Sequence, residues 1–114
     1  MSLHPMGYIE FIQEKEKEKE LLREKALKEA ERLSILLWQE YEFDSLFLIG
    51  SVLKDRGFTR QSDIDFVIKG LRKELFFKAL AFLISNSSFN IDLKPYEELD
   101  GDSKFRVERS GRKL

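Results

Sequence analysis

Ser45-Leu-Phe-Leu-Ile-Gly50-Ser51, then eleven residues, then Asp63-Ile-Asp-Phe-Val-Ile68: the reading of these two segments decides the fold. Four consecutive apolar residues, Leu46 to Ile49, closed by a glycine, predict a short strand covered on both faces. The stretch from Ser51 to Ser62 is rich in Lys, Arg, Gly and Ser and reads as a loop. A second strand begins at Asp63. Side chains alternate along a strand, so Asp63 and Asp65 share one face while Ile64 takes the other. Gly70 ends it.

Working outward, Leu22, Ala26, Ala30, Leu33, Leu37 and Tyr41 recur every three or four residues and predict one long helix from about Tyr8 to Tyr41. Within it, Gln13 to Glu20 alternates Glu and Lys, which predicts a solvated helical stretch. Tyr8, Ile9, Phe11 and Ile12 form an apolar cluster ahead of that run, suited to contact with a partner. On the other side of the two strands, Arg72 to Asn86 predicts a second helix. Its core stripe is Leu75, Phe76, Ala79, Phe82 and Leu83. Phe77, Leu80, Ala81 and Ile84 widen that stripe almost all round, so the helix is expected to be covered on both sides, by the sheet on one and by the N-terminal helix or another protein on the other. Phe89 to Tyr96 alternates Phe89, Ile91 and Leu93 with Asn90, Asp92 and Lys94, a strand with one apolar and one polar face, and Pro95 assigns it to an edge or an end. From Asp102 onward the chain predicts no more than a short helix or a loose segment.

The expected class is therefore α/β (α+β), a small mixed sheet with packed helices and a long N-terminal helix, divided into an extension over 1–32 and a folded domain over 33–114. Composition agrees. The chain has 114 residues, one domain's worth, and 42% hydrophobic residues can build a core. Twenty Lys and Arg nearly cancel 21 Asp and Glu, leaving a net charge of −1, which argues against binding nucleic acid or anionic membranes by bulk charge. There is no Cys, which removes disulfides, zinc-thiolate sites and thiol nucleophiles and fits a reducing cytoplasm. The single His, His4, stands near the start of the chain, so histidine-based catalysis and metal ligation are disfavoured. The longest apolar stretch, Leu75 to Ile84, contains Lys78 and is too short to cross a bilayer, so no membrane association is expected.

The remaining chemistry must run on carboxylates, hydroxyls, Lys and Arg. Gly50-Ser51 at a strand end, turning into a helix, would offer backbone N–H groups and a hydroxyl to phosphate oxygens, and glycine admits a phosphate close to the backbone. Asp63 and Asp65, about 7 Å apart along one strand face, can converge on one or two hard cations. Asp92 on a neighbouring strand can join them, either holding a second ion or accepting a proton from an attacking hydroxyl. Three such carboxylates repel one another without metal, which predicts raised carboxylate pKa values. Each piece alone is common in ordinary turns and strands. Their joint order is what suits metal-assisted phosphoryl or nucleotidyl transfer.

Gly50-Ser51, the eleven-residue spacer and Asp63-Ile-Asp65-Phe-Val-Ile resemble the signature of nucleotidyltransferases of the DNA polymerase beta type, and most of all the minimal nucleotidyltransferase (MNT) domains of prokaryotes. Arg56-Gly-Phe-Thr-Arg60-Gln-Ser62-Asp-Ile-Asp65 is similar to the Arg-Gly-rich linker of such domains. The resemblance runs from about Leu33 to the end, where Phe105-Arg-Val-Glu-Arg-Ser-Gly-Arg is similar to their closing helix and Gly turn. It implies a nucleotidyltransferase-like fold in which Gly50 and Ser51 bind the triphosphate, and Asp63, Asp65 and Asp92 are the catalytic, metal-ligating carboxylates for Mg²⁺ (or Mn²⁺). The implied reaction moves a nucleoside monophosphate, AMP from ATP, onto an acceptor hydroxyl and releases pyrophosphate. The implied acceptor is a partner protein such as a helical HEPN-type toxin, which the MNT chain neutralises, in a homo- or hetero-oligomer. Two departures concern the phosphate loop: the spacer is one residue longer than the typical ten, and Val52 stands where many members carry Arg. Lys54, Arg56 and Arg60 are the candidate replacements. The alternative reading is a catalytically inactive nucleotide-binding or interaction module. An antibiotic-modifying nucleotidyltransferase ranks lower for want of an acceptor pocket. The Gly-Ser strand end and the lack of a Gly-Thr turn after Asp65 disfavour a phosphoaspartyl hydrolase, and the chain's size disfavours a glycosyltransferase.

Overall fold

The structure, a computed structural model, describes residues 7–55 and 57–114; His4 and Arg56 lie outside the described residues. Helix α1 spans Gly7–Glu40, followed by β1 (Ser45–Ile49), β2 (Asp63–Lys69), α2 (Phe76–Ser85), β3 (Asn90–Pro95), α3 (Gly101–Ser110) and the two-residue β4 (Arg112–Lys113). The four strands form one mixed sheet in the order β3-β2-β1-β4. β1 runs antiparallel to β2 and β4, whereas β2 and β3 are parallel, joined through α2. A parallel pair needs such a crossover, because a tight turn cannot return the chain in the same direction.

The period-two pattern divides the sheet between two cores. Leu46 and Leu48 of β1, Ile64, Phe66 and Ile68 of β2, and Leu93 of β3 face α1 and α2, where Ala26, Ala30, Leu33, Leu37, Ala79 and Leu83 are buried. Ala26 and Ala30 thus belong to the same core as the residues after position 33. On the opposite face Phe47 and Val67 pack with Tyr96 and with Val107 of α3. β1 is covered on both sides, as its unbroken apolar run requires, and β3 occupies the edge that Pro95 assigns it.

Two local expectations are revised, the start of the second helix and the C-terminal tail. The second helix is shorter than Arg72–Asn86: Lys73–Leu75 form a 3₁₀ turn, and the α-helix begins at Phe76. Its outer side is not covered within the chain, for Phe77 is 79% exposed and Ile84 52%. The C-terminal tail is ordered into α3 and β4, because Asp100 caps the helix by accepting from the Ser103 N–H at 2.7 Å, and Leu114 N–H bonds back to Leu46 O. The N-terminal apolar cluster is solvent-facing, with Tyr8 73% exposed. No helix among the described residues is long and apolar enough to cross a membrane.

Candidate active site

The face of the sheet that carries Val67 and Phe47 becomes acidic toward the start of β2. Odd-numbered β2 residues point to this face, which places Asp63 and Asp65 beside the α3 layer rather than the α1 layer. In the parallel register Asp65 stands opposite Asp92 and Asp63 opposite Asn90. Register partners on adjacent strands point the same way, so Asp65 and Asp92 form a lateral pair, with Asp63 one pleat further along.

Gly50 completes the arrangement. It follows Ile49, the register partner of Asp65, and has φ 85° and ψ −160°, a conformation that L side chains rarely adopt. A Cβ at this position would collide with Oδ2 of Asp65. Glycine is thus required twice, by the backbone dihedral and by the carboxylate lying over its Cα. The segment after it is a single 3₁₀ turn, Ser51–Leu53, with Leu53 N–H bonded to Gly50 O at 3.1 Å. The helix expected to follow Gly-Ser is reduced to that turn because Lys54 is already extended. Any anion there would meet a short turn and the Ser51 hydroxyl, not a helix N-terminus.

The electrostatics of the group follow from its crowding. Burial pushes the Asp65 carboxyl above its ordinary pKa, Lys94 opposes that shift, and the charges of Asp92 and Asp63 reinforce it. Lys94 lies two residues beyond Asp92 on the same face of β3, and its ammonium donates to Asp92 Oδ2. That bond holds the lysine pKa above its ordinary value; desolvation works against the rise, and the carboxylates of Asp92, Asp65 and Asp63 add to it. Among the described residues no group of three His, Asp or Glu side chains is assembled that could hold a metal ion as it stands. Asp65 and Asp92 are brought together; Asp63 is the more exposed outlier.

Beside this acidic group opens a cleft of about 610 Å³, walled by Gly50, Lys54, Lys94, Ser103, Arg106 and Ser110, with Val67 and Val107 at its apolar base. It combines hydroxyls, three cations and an apolar floor, a lining that suits a flat apolar group carrying phosphates. Of the loop cations, Lys54 belongs to this cleft, whereas Arg60 lines a separate groove against α1 with Lys15 and Leu22. Two cleft cations were not singled out by the sequence. Lys94 was accessible to it, since period two places 92 and 94 on one face. Arg106 was not, since only the return of α3 across the sheet brings it there.

The donor set fits a hard divalent cation: it consists of carboxylate oxygens alone, on one face, next to a backbone kept bare of a side chain. Comparisons of the chain with protein-family models, with curated proteins and with solved structures return no match.

Proposed function

We propose that the chain is a Mg²⁺-dependent nucleotidyltransferase that moves a nucleoside monophosphate, AMP from ATP, onto a hydroxyl of a partner protein. The observation that carries this reading is the pairing of Asp65 with Asp92 on adjacent parallel strands, with the Asp65 carboxylate over the bare Cα of Gly50 and a cation-lined cleft alongside. Asp63, Asp65 and Asp92 would hold Mg²⁺ or Mn²⁺. When bound, the ion supplies Lewis-acid polarisation of the α-phosphoryl group and lowers the pKa of the attacking hydroxyl.

The chain's own residues do the rest. Lys54 and Arg106 neutralise and orient the triphosphate, the latter with the planar fork that matches two phosphate oxygens. Gly50 lets the phosphates approach the backbone, and Ser51 donates its hydroxyl. Val67 and Val107 provide an apolar floor for the base. The acceptor oxygen attacks the α-phosphorus, the bond to the β-phosphate oxygen breaks, pyrophosphate leaves, and the acceptor's proton passes to the Asp92 carboxylate. A HEPN-type helical protein is the proposed acceptor; the uncovered Phe77 and Ile84 on α2 and the N-terminal Tyr8 and Phe11 support a chain that docks on another protein.

Incubation with α-³²P-labelled ATP, Mg²⁺ and a co-expressed helical partner tests the proposal. Labelled partner and free pyrophosphate are expected, and Asp65→Asn should reduce both by at least about 100-fold, the scale of losing one essential charge-stabilising group. ATP binding without pyrophosphate release would identify a binding module instead.

A further inference from the structure

The acidic group is not left unneutralised in the folded chain. Lys94 donates to Asp92, the register partner of Asp65, so its ammonium sits at the acidic pair. The same residue forms part of the wall of the cleft that Lys54 and Arg106 also line. A four-carbon stem on an edge strand, 46% exposed, can reach either side. These facts are independent of one another: the first is a hydrogen bond, the second a position on a cavity wall.

We propose that Lys94 is a built-in counter-cation that holds the acidic site together in the metal-free chain and is displaced into the cleft when a divalent cation arrives, where it becomes a third phosphate-binding charge. The inference rests on the metal-site reading given above. Its physical basis is competition for one set of oxygens. A divalent ion must remove the ammonium from Asp92 before that carboxylate can serve as a ligand, so Lys94 weakens metal binding in the absence of nucleotide. Once triphosphate occupies the cleft, the released ammonium has anionic oxygens to bind, and the penalty is returned. Metal and nucleotide therefore bind cooperatively through one side chain, a coupling that is reciprocal by linkage. Lys94 is a positioning residue in this scheme and touches phosphate only after its release.

The test measures Mn²⁺ binding to the full chain by electron paramagnetic resonance, with and without a non-hydrolysable ATP analogue, for the natural protein, Lys94→Met and Asp65→Asn/Lys94→Met. Methionine keeps most of the stem's volume and removes the charge. Without nucleotide, Lys94→Met is expected to bind Mn²⁺ on the order of tenfold more tightly than the natural chain, the effect of deleting one nearby positive charge at an intermediate dielectric. Its affinity should then improve much less on adding the analogue than that of the natural chain. The double variant should lose the ion. Equal Mn²⁺ affinity in the natural chain and Lys94→Met, both dependent on Asp65, would overturn the counter-cation role while leaving the metal site intact. No Asp65-dependent Mn²⁺ binding in any variant, with or without the analogue, would overturn the metal-site reading and this inference together. Circular dichroism of each variant verifies that the fold is retained, and Lys94→Arg, which restores the charge, should return the natural coupling.

Discussion

Gly50 and Asp65 illustrate how a single missing side chain builds a site. The glycine sits at φ 85°, and its Cα is roofed by the Asp65 carboxylate. Gly50→Ala should therefore destabilise the chain by at least about 1–2 kcal/mol from the backbone conformation alone, read as a lowered urea midpoint. It should also weaken ATP binding by pushing Asp65 out of line with Asp92. A variant of natural stability and natural nucleotide affinity would show that neither the dihedral nor the contact matters. The shared face of Asp63 and Asp65 was legible in the sequence because alternation fixes which residues of one strand point the same way. Their electrostatics were only partly legible: Asp65 is pushed up, by burial first and by its acidic neighbours after that, whereas the ammonium supplied by Lys94 was not foreseen.

Between elements, one polar clamp ties α1 to the turn between α2 and β3. Glu29 accepts from Arg32 Nε at 2.7 Å and from the Ser87 hydroxyl at 2.6 Å, while Arg32 also donates to Asn86 O. The Glu29 side chain is only 14% exposed. The Arg32 hydrogen bond, followed by that from Ser87, holds the Glu29 carboxyl below its ordinary 4.5, with partial burial opposing. A depressed pKa means that the folded state binds the proton less readily than the unfolded chain. The clamp's contribution is therefore complete above about pH 4.5 and is lost as pH falls through the lower, folded value. Glu29→Gln should cost about 1 kcal/mol near neutral pH, allowing for solvent screening. The difference from the natural chain should shrink in acid, which urea titrations at pH 7 and pH 3 would detect; a gap that persists at pH 3 counts against the clamp. At α3, Asp100→Ala removes the cap on Ser103 N–H and should speed hydrogen exchange at residues 101–104 ahead of any change in the sheet. Because α3 carries Ser103 and Arg106 into the cleft, nucleotide affinity should fall with it.

Across the whole molecule, α1 runs well beyond the stretch of it that is buried against the sheet. Its 34 residues span about 51 Å at 1.5 Å per residue, which accounts for most of the 61 Å long axis. Its fully buried residues are Ala26, Ala30, Leu33, Ser34 and Leu37, and Leu22 and Leu27 pack partly buried beside them. Deletion through Glu18 should therefore leave the unfolding midpoint nearly unchanged, within about 0.5 kcal/mol. Leu33→Ala, by contrast, opens a cavity between helix and sheet and should cost about 2–5 kcal/mol. A large loss on the deletion would reveal that the exposed half of the helix is needed by the monomer. If its Tyr8 and Phe11 serve a partner, the deletion should instead abolish label transfer while the fold stands.

Periodicity carried the elements: a run apolar on both faces and closed by a glycine reads as an interior strand, an alternating one with Pro95 as an edge or a strand end, and a stripe at three and four residues as a helix against a core. Those are local consequences of backbone geometry, and α1, β1, β2, α2 and β3 followed from them, as did the shared face of Asp63 and Asp65; β4 did not, because two residues carry no period and pair only through the return of the chain after α3. Where Asp92 stands relative to Asp65 is a different matter. It depends on the register of a parallel pair whose strands are separated by a helical crossover, and register is set by how the intervening helix packs rather than by either strand alone. The same holds for Arg106, delivered by the return of α3, and for the outer side of α2, where Phe77 and Ile84 are left uncovered by α1. Chain order specified the ingredients of the acidic face; long-range packing decided which of them meet.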